Sequence, residues 1–254
     1  MILYFSGTGN SRRVAEFLGR LLGERVLPIM ELINEGTKTL QLQEKESLGF
    51  VFPVYSWGPP TVVLKALERL RVSRLSDYVY FICTCGDDTG KTADIFRRAV
   101  EKKGWKYGAG FSVVMPNTYV CLPGFDVDSN DLADIKLENM EGRLEVIASC
   151  VKARKRMTDC HEGALPRLKS YFIRPLFNRY LTSPKAFRAS DACISCGKCA
   201  QVCPMHNIRL ADGHPVWGMD CAMCLACYHY CPKHAVEYGC MTKGKGQFTL
   251  EKKA

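Results

Sequence analysis

The sequence predicts an α/β chain in two parts: a doubly wound, five-stranded parallel sheet over residues 1–157 and a small α+β module over residues 190–240. Three observations carry this. From residue 1 to about residue 115 short apolar runs alternate with segments of helical period, the pattern of parallel strands joined by crossover helices. Eight of the fourteen cysteines fall between Cys193 and Cys231, so a cysteine-rich module follows an ordinary one. The 254 residues also exceed one typical domain of roughly 150.

Strands are expected near 2–5, 25–29, 48–54, 78–84 and 109–115, with helices near 11–22, 60–70 and 91–103. Pro59 and Pro60 open the second of these helices, where a fixed φ suits the first turn. The connection between the second and third strands has no regular period. Pro116, Pro123 and Gly124 mark residues 116–130 as a long loop. Leu132, Ile135, Met140, Leu144, Ile147 and Val151 then recur at helical spacing, predicting a long amphipathic helix that packs on the sheet and ends near Met157. Residues 158–189, punctuated by Gly163, Pro166, Pro175 and Pro184, read as a basic helical linker. Residues 241–254 read as a frayed, lysine-bearing tail.

The formal charge of +9 is uneven: from Arg143 to Ser190 eleven Lys and Arg face only Glu145, Asp159 and Glu162. This basic stretch either steers an acidic partner or offsets anionic cofactors, and it carries no nucleic-acid motif. No apolar run approaches the roughly 20 residues of a membrane span. No basic leader precedes Ile2-Leu3-Tyr4-Phe5. A cytoplasmic chain with reduced or metal-bound thiols is therefore expected, rather than an exported disulfide scaffold.

Cys193, Cys196, Cys199 and Cys203 precede Pro204 with the spacing C-x2-C-x2-C-x3-C-P, and Cys221, Cys224, Cys227 and Cys231 repeat it before Pro232. A cubane needs four thiolates arriving from different directions; the short spacings wrap three cysteines around one cluster while the fourth reaches the other. Cys193, Cys196, Cys199 and Cys231 are thus expected on one 4Fe-4S cluster, and Cys203, Cys221, Cys224 and Cys227 on a second. A zinc site needs neither the third cysteine of each run nor the Cys-Pro ending. His206, His214, His229 and His234 have no vacancy to fill and read as surface or packing residues. Residues 190–239 resemble the two-cluster ferredoxin family, which implies one-electron carriage at low potential.

After the first strand, Ser6-Gly7-Thr8-Gly9-Asn10-Ser11 places hydroxyls and glycines at the mouth of a helix, a chemistry that suits phosphate. The P-loop Gly-Lys-Ser/Thr is absent, and Arg12 stands where a dinucleotide fingerprint needs its third glycine, although Glu31 lies where a ribose-binding acid would. The loop matches the [S/T]-x-T-G-x-[S/T] pattern of the flavodoxin family, which residues 1 to about 115 resemble. That resemblance implies a flavodoxin-like sheet with FMN at the carboxyl ends of its strands. It assigns the flavin ring to the loops carrying Pro53, Val54, Tyr55, Ser56, Trp57 and Gly58, and Thr84, Cys85, Gly86, Asp87 and Gly90. Asp87 and Asp88 also suit a plain turn. Pro59 leaves the Gly58–Pro59 peptide no N–H to turn toward a flavin.

The pairing resembles flavodoxin–ferredoxin fusion proteins. It implies an intracellular electron-transfer iron–sulfur flavoprotein that passes electrons between two clusters, FMN and a redox partner, either a ferredoxin or a larger oxidoreductase. The alternative is an FMN-dependent oxidoreductase reducing a small organic acceptor, with Tyr119 and Cys121 as candidate groups over the ring.

Overall fold

The structure, a computed structural model, describes all residues except 35–38, 75 and 251–254. Its first part runs β1 (Ile2–Tyr4), α1 (Asn10–Leu22), β2 (Val26–Pro28), α2 (Ile29–Asn34), β3 (Thr39–Leu40), β4 (Leu48–Pro53), α3 (Thr61–Arg69), β5 (Arg71–Val72), β6 (Val79–Cys85), α4 (Thr92–Lys102), β7 (Tyr107–Val114), α5 (Asn130–Lys152) and β8 (Met157–Asp159). Then come α6 (Pro166–Leu168), a π-turn over Lys169–Ile173, α7 (Arg174–Tyr180), a 3-10 turn over Pro184–Ala186, β9 (Phe187–Ala189), α8 (Lys198–Gln201), β10 (Ile208–Ala211), β11 (His214–Trp217), α9 (Ala226–His229) and β12 (Val236–Tyr238).

β4 and β6 are apolar at nearly every position, as strands covered on both faces must be. Along β6, Val79, Phe81 and Cys83 point into a core closed by Val63 and Leu67 of α3 and Phe96 and Val100 of α4. Tyr80 and Ile82 point the other way, onto Val14 and Leu18 of α1 and Leu144 and Ile147 of α5. The sheet is parallel throughout, with order β2-β1-β4-β6-β7-β8. Its first five positions follow the flavodoxin-like order, which puts the loops after β1, β4 and β6 side by side at one edge.

The five strands expected from sequence are joined by a sixth, β8, which pairs with β7 through Ala109↔Met157, Gly110↔Thr158 and Phe111↔Asp159. It is short and exposed, so it has no hydrophobic signature; polar contacts hold it instead. Tyr107 and Thr158 share a hydroxyl hydrogen bond of 3.1 Å, and Arg143 donates to Asp159 at 2.7 Å. The sheet therefore continues past residue 157. α5 stops at Lys152, short of the expected end, and Arg154 then turns through a φ of 48°. α5 is capped by the Ser129 hydroxyl, which accepts from the Leu132 amide. Its buried face starts at Ala133 and runs through Met140, Leu144, Ile147 and Val151, so Leu132 and Ile135, which helical spacing predicts to pack, lie off that face and stay exposed.

Residues 166–180 form one continuous helical rod. Pro175 cannot donate to the turn before it and crowds a carbonyl there, which accounts for the wide π-turn immediately upstream. In the last part, β9 and β12 pair antiparallel, and β10 and β11 form a hairpin closed by Asp212 and Gly213, both at positive φ as a tight hairpin turn requires.

The expected frayed tail is not seen over residues 241–250. Lys245 Nζ donates to the carbonyls of Val120 (2.8 Å) and Leu122 (2.5 Å), Gly246 N donates to Asp126, and the Gln247 amide donates to the Tyr228 and Cys231 carbonyls. Residues 251–254 lie outside the described residues.

The two faces of α5 differ in burial, and this is checkable. Ile147→Ala is expected to lower unfolding free energy by about 2–5 kcal/mol, whereas Ile135→Ala stays within about 0.5 kcal/mol of wild type. Urea unfolding of the two variants measures both; equal losses would contradict the packing described.

Candidate functional site

The eight motif cysteines separate into two groups in space, and the groups are not the two sequence motifs. Cys193, Cys196, Cys199 and Cys231 line one cavity of about 20 Å³ with Ile194, Gly197 and Pro232. Cys203 lies instead beside Cys221, Cys224 and Cys227, close enough to raise the pKa of each. The fourth cysteine of each motif thus lies with the first three of the other. Among the described residues no three His, Cys, Asp or Glu side chains converge to hold a single metal ion. A cubane does not ask for that, because its four thiolates bind four different irons.

Backbone conformation aims these sulfurs. Ser195 and Gly197 in the first motif, and Met223 and Leu225 in the second, all take positive φ. Leu225 holds the left-handed conformation where the first motif has glycine, at a strain of about 1–3 kcal/mol. Its buried side chain in the module's core offsets this. Amides then point at sulfur: Asn207 N to Cys203 at 3.4 Å, Met223 N to Cys221 at 3.3 Å and Ala235 N to Cys231 at 3.2 Å. As a free thiol Cys224 is pushed up to about 12, chiefly by burial and then by Cys203 and Cys221 beside it. Four such thiols ionise together only around a positive centre, and an iron–sulfur core is one. The donor set fits the cluster.

Trp217 was not singled out by sequence. Its indole nitrogen is buried with no hydrogen-bond partner among the oxygen and nitrogen atoms around it, and it lies against Cys227, whose thiolate it favours in opposition to burial. Of the four histidines, His229 is fully buried. Its Nε2–H donates to the Thr118 carbonyl at 2.8 Å and its Nδ1 accepts from Phe248 N at 3.2 Å, which fixes a neutral tautomer with a packing role.

At the sheet edge, Gly9 (φ 100°) precedes α1, whose first amides face away from the helix's own carbonyls. The hydroxyls expected at the phosphate are partly committed: Ser6 accepts from Gly9 N at 3.2 Å, and Ser11 shares a buried 2.8 Å hydrogen bond with Thr84. Asn10 donates to the Pro116 carbonyl, while its Oδ1 is buried and unpartnered. Ser6, Gly7 and Gly9 open onto a pocket of about 230 Å³, which Arg12 and, from the cysteine-rich module, Lys198 and Tyr230 also line. Two cations and a helix N-terminus around one cavity suit an anion.

The loops expected at a flavin ring lie at the same edge. Tyr55 and Trp57 are partly exposed, and Ser56 Oγ is buried without a partner. Ser56 and Trp57 both take positive φ, and the Gly58 carbonyl accepts from Tyr55 N at 2.9 Å, closing the turn. That carbonyl is therefore committed inside the loop, in addition to the N–H that Pro59 lacks. The two unpartnered polar atoms, Asn10 Oδ1 and Ser56 Oγ, and the cationic pocket fit a flavin phosphate with a polar ring edge.

Cys85 is buried and pushed up to about 12, first by burial and then by Cys160, Asp87 and Asp88. Lys136 donates to the Gly86 carbonyl at 3.1 Å and pairs with Asp128 at 2.6 Å. The linker covers both loops: Lys169 pairs with Asp88 at 2.5 Å, Ser170 Oγ donates to the Trp57 carbonyl at 2.8 Å and Arg174 donates to the Pro59 carbonyl at 2.6 Å. Ser170 packs against Gly90, and Arg174 against Gly58, so closely that a side chain on either glycine would have to displace its neighbour. These contacts join residues far apart in sequence, and no local motif announces them.

The same edge carries the cysteine module. A methyl group on Gly7 would collide with the Cys224 carbonyl and Cβ, so the second cysteine set sits directly on the phosphate loop. Burial of the Tyr55 phenol, and then the Cys224 and Cys221 sulfurs beside it, hold it well above the ordinary value. Cys121 is 3% exposed and pushed up to about 12 by burial, and Tyr119 packs its ring on Phe125 and Phe177. Neither is set up as an acid or base over a ring.

Residues 183–236 match the 4Fe-4S dicluster domain family. No curated protein sequence matches the chain. Among solved structures, a flavodoxin of Streptococcus pneumonia TIGR4 is similar over 60% of this chain and 97% of its own, at 18% identity and a TM-score of 0.38. An NAD(P)H:quinone oxidoreductase from Methanothermobacter marburgensis is similar over 57% of this chain and 96% of its own, at 14% identity and a TM-score of 0.35. The fold assignment rests on the parallel sheet order: a flavodoxin-like sheet followed by a ferredoxin-like dicluster region.

Hydrogen bonds to sulfur favour the reduced, more negative state of a cluster. Trp217→Phe is expected to move one of two cluster potentials to a more negative value with iron content unchanged. Anaerobic redox titration followed by electron paramagnetic resonance measures this, and two unshifted potentials would remove Trp217 from the site.

Proposed function

We propose that the chain is an electron-transfer iron–sulfur flavoprotein. Cys193, Cys196, Cys199 and Cys231 hold one 4Fe-4S cluster, and Cys203, Cys221, Cys224 and Cys227 hold the other. FMN lies on the loops of residues 6–11, 53–58 and 84–90, and a protein redox partner exchanges electrons with the clusters. The observation that carries this reading is the shared wall between the two modules. The Cys224 backbone packs on Gly7, and the Cys224 and Cys221 sulfurs lie beside Tyr55.

FMN, when bound, supplies an exchange between one-electron and two-electron chemistry. The residues of this chain have separable parts in that work. The amides at the head of α1, with Arg12 and Lys198 in the adjoining pocket, favour the phosphate. Tyr55 and Trp57 offer aromatic faces, and Asn10 Oδ1 and Ser56 Oγ offer buried polar atoms that a ring edge would satisfy. Lys169 and Arg174 bring positive charge to the two ring loops. Burial pulls the Arg174 guanidinium pKa down, and its Nε has no partner, so negative charge developing nearby would be favoured. The second cysteine set is the one next to the flavin loops. The first, with Cys196 exposed, is the one a partner protein reaches.

Anaerobically purified protein is expected to contain about eight irons per chain and about one releasable FMN. Cys203→Ala should lose about half the iron, from the set completed by Cys221, Cys224 and Cys227, and keep the other cluster's spectrum. Stoichiometric zinc without visible absorbance would end the cluster reading. Iron in full amount with no FMN bound, even on titration with added FMN, would end the flavin reading alone.

A further inference from the structure

The rod over residues 166–180 is amphipathic in the wrong sense for a helix packed on a protein. Its inward side carries Lys169, Ser170 and Arg174, each hydrogen-bonded to the flavodoxin-like domain. Its outward side carries Leu168, Phe172, Leu176 and Tyr180, which follow one another at steps of four and are 46%, 66%, 60% and 65% exposed. Leu165, 68% exposed, extends the stripe upstream. Such exposures belong to side chains that stand out from the surface as a ridge. Isolated exposed leucines are ordinary, whereas a contiguous apolar stripe on a helix marks a surface that something else covers.

The surrounding charge selects the occupant. No Asp or Glu occurs from residue 163 to residue 190, while Arg167, Lys169, Arg174, Arg179, Lys185 and Arg188 fall in that stretch. Arg167 and Arg179 are exposed, whereas Arg188, also exposed, is paired with Glu237 at 2.8 Å. A second copy of the chain would bring like charges together across the contact. A projecting ridge of leucine and aromatic side chains flanked by arginines instead meets the requirements of an interfacial helix. Its apolar edge enters the acyl boundary while long cationic side chains reach anionic headgroups. No helix among the described residues is long and apolar enough to cross a membrane, so the contact is made in the plane of the surface.

We propose that the 166–180 helix docks the protein on an anionic membrane surface. Docking there leaves the inward contacts to Asp88, Trp57 and Pro59 in place, so the linker's cover over the flavin loops and its membrane face are compatible. This rests on the exposed stripe and its charge, not on the cofactor reading.

The test is sedimentation of the full-length, anaerobically purified protein with vesicles of phosphatidylcholine alone or with one third phosphatidylserine. Binding to the mixed vesicles is expected, weakening by roughly tenfold or more on phosphatidylcholine alone and on raising salt, as surface attraction is screened. Leu168→Glu/Phe172→Glu/Leu176→Glu should abolish binding, with iron content and visible spectrum unchanged. Arg167→Glu/Arg179→Glu, which keeps the stripe, should also weaken it by roughly tenfold. The proposal is overturned by wild type remaining in the supernatant with mixed vesicles, by binding that the apolar triple variant retains, or by a dimer in gel filtration that the triple variant dissociates. A requirement for an acidic protein to hold wild type on the vesicles would equally assign the stripe to that protein and overturn it.

Discussion

Close approach between two backbones sets the relation of the two halves of this protein. At Gly7 the first βα turn has no side chain, and the carbonyl and Cβ of Cys224 fill the space where one would be. Any larger residue there would force the cysteine-rich loop off the sheet edge. Much else follows from that seat. Tyr55 comes to lie by two cysteine sulfurs, Tyr230 and Lys198 become walls of the pocket at the 6–11 loop, and His229 becomes buried against the Thr118 carbonyl. The glycine permits close approach, as glycine does in tight turns generally, and the group that approaches is the neighbouring module.

The parts of the fold that were legible in the sequence are those encoded by period. Strands such as Leu48–Pro53 and Val79–Cys85 are continuous apolar runs, and Met140, Leu144, Ile147 and Val151 mark the buried face of α5. The cysteine sets were legible because a cubane imposes fixed spacings, and their crossing over is a property of that chemistry. What escaped is held by polar contacts between distant residues. β8 has three exposed positions and is fastened by Tyr107 and Arg143. The linker's part at the ring loops depends on Lys169, Ser170 and Arg174, which look like any basic helix until their partners are known. Leu132 and Ile135 are apolar yet stay exposed, because the buried face of that first turn is carried by Ala133, a small residue that gives little hydrophobic signal. Trp217 reads as an ordinary core aromatic; only its position beside Cys227 gives its N–H a use.

The excess of positive charge has two structural outlets. Part of it is turned inward, where Lys169 pairs with Asp88 and Lys91 with Glu162 to bind the linker to the ring loops. The inward pairs are partly shielded from water and fix a geometry. The remainder, Arg167, Arg179 and Arg188 among it, stays on the surface, where single pairs count for little and collective attraction to an anionic body counts for more. One short segment therefore covers the loops after β4 and β6 and carries positive charge on its outer side.

The strap formed by residues 241–250 ties two separate pieces of the chain to one another. Lys245 and Gly246 bond to the 116–127 loop, while Gln247 and Phe248 bond to the 228–231 turn of the cysteine-rich module. Cys231 lies in that turn, so the backbone of one cysteine of the first set is fixed by a segment outside both motifs. Movement of the loop that follows β7 would therefore be felt at Cys231 through the strap, although no cysteine motif touches that loop in sequence.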